Sequence, residues 1–276
     1  MIRAVAALTW RARLLLLITA ACVVAAVLLP AMPQPLSYHQ FADCRSLFGV
    51  ANFFNVISNL PFLVAGAWGL ALVFRGGGNF IEPREQLPYL VFFLGALLTC
   101  LGSAYYHAAP DNTRLVWDRL PMTLGFAGLV AAALAERMDL KLGQRSLWPL
   151  LAMGVFTVIY WYATERAGAG NVMPYGIYQG WSILVIVLVL IWYPATRYSH
   201  GSLLAWAAVW YGLAKVFETF DLQIYRLLGG ALSGHSIKHG VAAIAVFAIV
   251  WQLRKRRALA APPMHPEHRS PSIRAA

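Results

Sequence analysis

The chain has 276 residues, is 60% hydrophobic and only 12% charged, and carries a formal net charge of +11. That much charge cannot cover a soluble domain of this length, so the composition excludes an ordinary soluble globular protein. The basic excess is not interleaved with aromatics as on a nucleic-acid surface, so it reads as membrane topology and argues for no nucleic-acid partner.

Apolar runs near the roughly 20 residues needed to cross a bilayer recur along almost the whole chain. Eight spans are expected, at about 13–32, 52–74, 88–107, 114–135, 147–163, 177–195, 203–219 and 235–253. The expected fold is an all-α integral membrane protein, a seven-transmembrane-helix bundle preceded by one extra N-terminal hydrophobic helix. Residues 1–33 form that first helix, 34–253 the bundle domain, and 254–276 a basic, Pro-rich tail expected to be disordered. The first span has the Arg-rich flank of a signal peptide. No A-x-A site closes it, however, and Pro30 and Pro33 crowd the cleavage zone, which favours a retained helix.

With the N-terminus inside, the inside segments collect fifteen Lys and Arg, among them Arg137, Lys141, Arg145 and the run RKRR from Arg254. The outside segments then hold only Arg45, Arg114, Arg166 and Arg226. This asymmetry sets the expected orientation, with the C-terminus inside. Cys22, Cys44 and Cys100 include no C-x-x-C pair, so neither a disulfide framework nor a cysteine zinc site is expected.

Polar residues interrupt the spans at one depth. The second span opens NFFNVISNLPF, where Asn52, Asn55 and Asn59 fall on one helical face. Such a stripe serves either helix–helix hydrogen bonding or the orientation of ligands on neighbouring helices. The third span ends GSAYYH, with Ser103 and His107 four residues apart on one face. Asp118 lies a little over one turn into the fourth. Lys215, Glu218 and Asp221 close the seventh at charge-pair spacing. The eighth begins SGHSIKHG, which aligns His235 and His239; Lys238, between them, is expected to point to a flank.

Singly, each of these residues has a structural reading. A histidine at a helix end caps it, a serine packs, two histidines at i, i+4 bind haem or backbone, and Asp118 forms an ion pair with Arg114 or Arg119. Their arrival at one depth from three helices points instead to a site, because ionisable groups within a membrane are costly unless they find partners in the bundle interior. Three neutral imidazoles are the ligand set of a catalytic zinc, which keeps a fourth position for water. Asp118 is placed to handle the proton of that water, and Ser103 to donate to an oxyanion. The residues alone suggest a metal-assisted hydrolase. A receptor-like protein with a structural zinc and a haem-binding electron carrier are the competing readings.

The stretches FFNVISNLPF, GSAYYHAAPDNTRLVWDRLPM and SGHSIKH resemble the alkaline ceramidase family, in particular its bacterial members. That family belongs to a wider superfamily of seven-helix membrane hydrolases that includes adiponectin-receptor-like proteins. The likeness covers roughly residues 40–253, with the motifs in the family's order. It implies that His107, His235 and His239 bind Zn2+, that Asp118 assists the attacking water, and that Ser103 stabilises the site. It also implies amide hydrolysis of ceramide or a related N-acylated membrane lipid, in a bacterial inner membrane with the site toward the periplasm. Animal members carry an acidic calcium-binding segment before the first core helix. Here that region reads FADCRSLFGVAN, with Asn52 where a glutamate is expected, so calcium dependence is not carried over.

Overall fold

The structure, a computed structural model, describes residues 9–259. Among these the elements are helices, with two isolated bridges in place of any β-strand. In chain order they are α1 (Trp10–Leu28), α2 (Phe53–Ile57), α3 (Leu60–Phe74), α4 (Gln86–Ala108), α5 (Asn112–Arg137), α6 (Leu140–Arg166), α7 (Met173–Trp192), α8 (Ser202–Thr219), α9 (Asp221–Leu227) and α10 (Gly234–Lys255).

The chain writes its own helix starts. Asp111, Asp139 and Ser233 sit in extended conformation before α5, α6 and α10, and each side chain accepts a hydrogen bond from the backbone N–H three residues on. The second span is two pieces rather than one. Ser58 and Asn59 separate α2 from α3 just ahead of Pro61, which lacks the N–H that would continue the ladder.

Among the described residues seven helices are long and apolar enough to cross a membrane: α1, α2–α3 taken together, α4 with its preceding turn, α5, α6, α7 and α10. The expected span at 203–219 is a helix, α8, of 18 residues that carries Lys215 and Glu218 and is not one of these seven. It packs along α10 all the same, with Leu204 and Ala207 in one core with Ala243 and Val246. The result is a seven-helix bundle with α1 as the extra helix outside it. Only Leu15 of α1 is buried. It leans on α7 through Thr19, whose hydroxyl accepts from Trp181 Nε1 at 3.0 Å.

The tightest packing joins α4 to α5. A Cβ on Gly102 would stand 1.8 Å from the Trp117 carbonyl oxygen, so only glycine lets the two backbones approach this closely. Ser103 and Asp118 are the next residues on each side of that contact, and the close seam fixes them at one level.

The opposite end of the bundle is tied by charges. Arg256, fully buried, pairs with Glu136 and donates from Nε to the Gly78 carbonyl at 2.6 Å. Glu136 also accepts from Tyr89, and Glu85 takes Arg197 and the Tyr198 hydroxyl. Leu259 N–H reaches the Arg197 carbonyl at 2.8 Å. Residues 254–259, expected to open the tail, are therefore anchored to the bundle; the rest of the expected tail, 260–276, lies outside the described residues.

Candidate metal centre and cavity

Three imidazoles meet at the end of the bundle where α4 finishes and α10 begins. His107, His235 and His239 are all buried, at 1%, 6% and 4% exposure. Their rings lie 4.8 to 5.0 Å apart, centroid to centroid, and one donor nitrogen from each falls within 4.8 Å of the others. Nε2 of His235 faces Nε2 of His107 at 3.3 Å. Two nitrogens each about 2.0–2.1 Å from one tetrahedral ion stand about 3.3 Å apart, so the pair already has the spacing of zinc ligands. Nδ1 of His107 is buried without a hydrogen-bond partner. The donor set, its spacing and its burial all fit a zinc ion.

Neighbouring side chains hold the rings. The Ser58 hydroxyl bonds His239 Nδ1 at 2.8 Å, which leaves Nε2 free to ligate. Phe41 lies against both His107 and His235, at 4.7 and 4.5 Å between centroids. Asp221 receives the backbone N–H of His235 at 2.7 Å and that of Ala42 at 2.9 Å, linking the start of α10 to the segment that carries Phe41.

The asparagine stripe has divided duties. Asn52, in left-handed conformation, donates to the His107 carbonyl. Asn55 accepts from Ser236 and donates to the Asp43 carbonyl, and Asn59 donates back to the Asn55 carbonyl of α2. Its link to the ligands is thus through backbone. The direct bond to a histidine ring comes from Ser58, which lies off the stripe.

Beside the histidines a cavity of about 440 Å³ runs between α4, α5, α7, α8 and α10. Ser103, Asp118 and His239 share its wall. His107 and His235 do not line it; both rings pack against Phe41. Away from the site the cavity is apolar, between Phe92, Leu129, Ile186, Leu204, Val246 and Ile249. Toward the site end it turns polar, with Gln34, Tyr38, Arg119, Lys215, Glu218 and Lys238.

The ion pair that would make Asp118 a structural residue is absent from the described residues. Arg114 pairs with Asp111, and Arg119 donates to Gln34 at 2.6 Å. Lys215 and Glu218 form the expected i, i+3 pair. Lys238 does not point to a flank. It pairs with Glu218 at 2.7 Å and lines the cavity, because α8 lies beside that face of α10.

Residues 46–259 match the model of the ceramidase family. The chain belongs to that family. No curated protein matches it. The matched stretch includes all five candidate site residues and the anchored residues up to 259, while α1 and the segment carrying Phe41 and Asp43 precede it. Family membership makes this a membrane hydrolase of amide bonds with a lipid substrate.

Three residues around the site are not marked by the sequence: Phe41, Arg119 as a cavity residue, and Lys238 as a cavity residue. Ser58 lay within a stretch already singled out. Phe41 sits in a loop with no periodicity to mark it.

Proposed function

We propose that this protein is a zinc-dependent intramembrane hydrolase that cleaves the amide of ceramide or a related N-acylated lipid, releasing a fatty acid and a sphingoid base or other amine. The observation that carries this reading is a cluster of three buried imidazoles, one of which, His239, shares with Asp118 and Ser103 the wall of a cavity whose far end is apolar. In this reading His107, His235 and His239 hold the metal, and residues 34–253 form the hydrolase domain. A zinc ion there would polarise the amide carbonyl and bring the pKa of a water toward about 7.

The chain's own residues do the rest. The apolar stretch from Phe92 to Ile249 takes the acyl chain and sets the carbonyl at the histidine end. An Asp118 carboxylate oxygen accepts a proton from the attacking water and returns it to the departing amine nitrogen as the C–N bond breaks. The Ser103 hydroxyl lies beside Asp118 and donates to the carbonyl oxygen as negative charge develops on it. Phe41, covering His107 and His235, keeps bulk water off the ligands from the other side. The Lys/Arg asymmetry supports placing this end on the periplasmic side of a bacterial inner membrane.

Purified protein offered a panel of N-acyl lipids tests the proposal. Turnover that vanishes with chelation and returns with zinc is the expected outcome. Turnover that survives removal of zinc would overturn the mechanism. Zinc retention without turnover of any lipid would favour the receptor-like reading.

A further inference from the structure

Arg119 is 5% exposed. Its guanidinium sits in an aromatic cage, 4.2 Å from the Trp161 ring centroid, 4.8 Å from Tyr175 and 5.6 Å from Tyr38. Nη2 donates to the uncharged Gln34 side chain. Nη1 is buried with no partner, and no carboxylate lies within ion-pair distance of Arg119 among the described residues. The contrast with Arg256 is direct: equally buried, that arginine has Glu136 in contact. A buried cation lacking its counter-charge is costly, and a guanidinium fork with a free edge matches a planar or tetrahedral anion.

Arg119 lines the same cavity as Asp118 and His239, with Nη1 buried and unpaired. Lys215 and Lys238 line the same polar end and share the single carboxylate of Glu218. With Asp118 counted, this end carries three cations against two carboxylates. The apolar end takes the acyl chain, so what lies beyond the scissile carbonyl is the amine part of the substrate.

We infer that the polar end of the cavity is an anion subsite built on Arg119, and that the preferred lipid carries a carboxylate or phosphate on the amine side of its amide. The inference rests on the amidase reading and sharpens it from N-acyl lipids in general to anionic ones. If Arg119 only clasped Gln34 to the bundle, it would confer no preference among substrates.

The test compares three lipids with one acyl chain, their amine parts being neutral ethanolamine, glycine with its carboxylate, and phosphoethanolamine. Wild-type protein should show a kcat/KM at least about tenfold higher for one of the anionic pair than for the neutral lipid, and which one identifies the source of the charge. Arg119→Gln should remove that preference mainly through KM, and Arg119→Lys should restore part of it. Equal rates on all three lipids, or an Arg119→Gln variant slowed by one common factor, would overturn the subsite and leave the amidase reading standing.

Should no lipid turn over, the amidase reading fails and the subsite is judged by binding. A long-chain alkyl sulfonate should bind wild-type protein about tenfold tighter than the alcohol of equal length, and Arg119→Gln should lose the difference. Equal binding would sink the subsite. The wild-type comparisons require no variant to fold.

Discussion

The two ends of the bundle are both rich in buried polar groups, yet they are organised on opposite principles. At the end away from the histidines each buried carboxylate meets an arginine: Glu136 meets Arg256, and Glu85 meets Arg197. The result is a clasp that fixes the end of α10 against the loop before α8. At the histidine end Glu218 pairs with Lys215 and Lys238, but other buried groups lack a complement. Three imidazoles crowd together, Asp118 has no ion-pair partner among the described residues, and one edge of Arg119 is empty. A fold has no use for such an arrangement by itself, since buried polar groups stabilise only when paired. The buried ion pairs of the far end are architecture, and the unpaired groups of the histidine end are those that the proposed metal and substrate would complete.

Substitutions at the two ends should therefore fail differently. At the site end, Asp118→Asn keeps the shape of the side chain and removes the proposed base. Its kcat should fall about 10²- to 10⁴-fold, with the metal content and melting temperature of wild type. Undiminished turnover would make Asp118 an architectural residue and break the comparison. At the paired end, Glu136→Ala strands the fully buried Arg256, which should cost about 3–5 kcal/mol of stability. Denaturant unfolding reads that loss, while zinc per folded chain should not change.

A smaller effect is expected from Ser58→Ala, which frees His239 Nδ1. Zinc affinity, read by competition with a chromogenic chelator, should weaken about 10- to 100-fold; unaltered affinity would show that packing alone orients the ring.

The smallest effect concerns Asp43, in the loop before α2. Burial pushes its carboxyl up, but hydrogen bonds from Arg45 outweigh this and hold it below its ordinary value. A carboxyl depressed on folding contributes stability above its unfolded pKa, near 3.8, and loses it as pH falls through the lower folded value. Melts of wild type and Arg45→Gln should differ at neutral pH and converge in acid below about pH 4. A gap that stays constant with pH would assign Arg45 to its stacking on Phe54 instead.

Much of this was legible in the sequence, for identifiable reasons. Hydrophobic length alone located the helices, and the i, i+4 rule put Ser103 with His107 and His235 with His239 on shared faces. Those readings depend only on local periodicity. What escaped depends on which helices are neighbours. Lys238 faces the cavity because α8 packs against α10, and Arg119 is caged by Trp161 and Tyr175 from two other helices. The break between α2 and α3 was masked by the continuous apolar run around Pro61. The run RKRR reads as a solvated charge run in the sequence, whereas Arg256 finds a buried glutamate 120 residues away.

Metal analysis of the purified full-length chain tests the central claim most directly. Wild type should carry about one zinc per chain, and His239→Ala, folded by its melting curve, should carry almost none. Protein that folds and is active without zinc, or a His239→Ala variant that binds zinc as wild type does, would contradict the account.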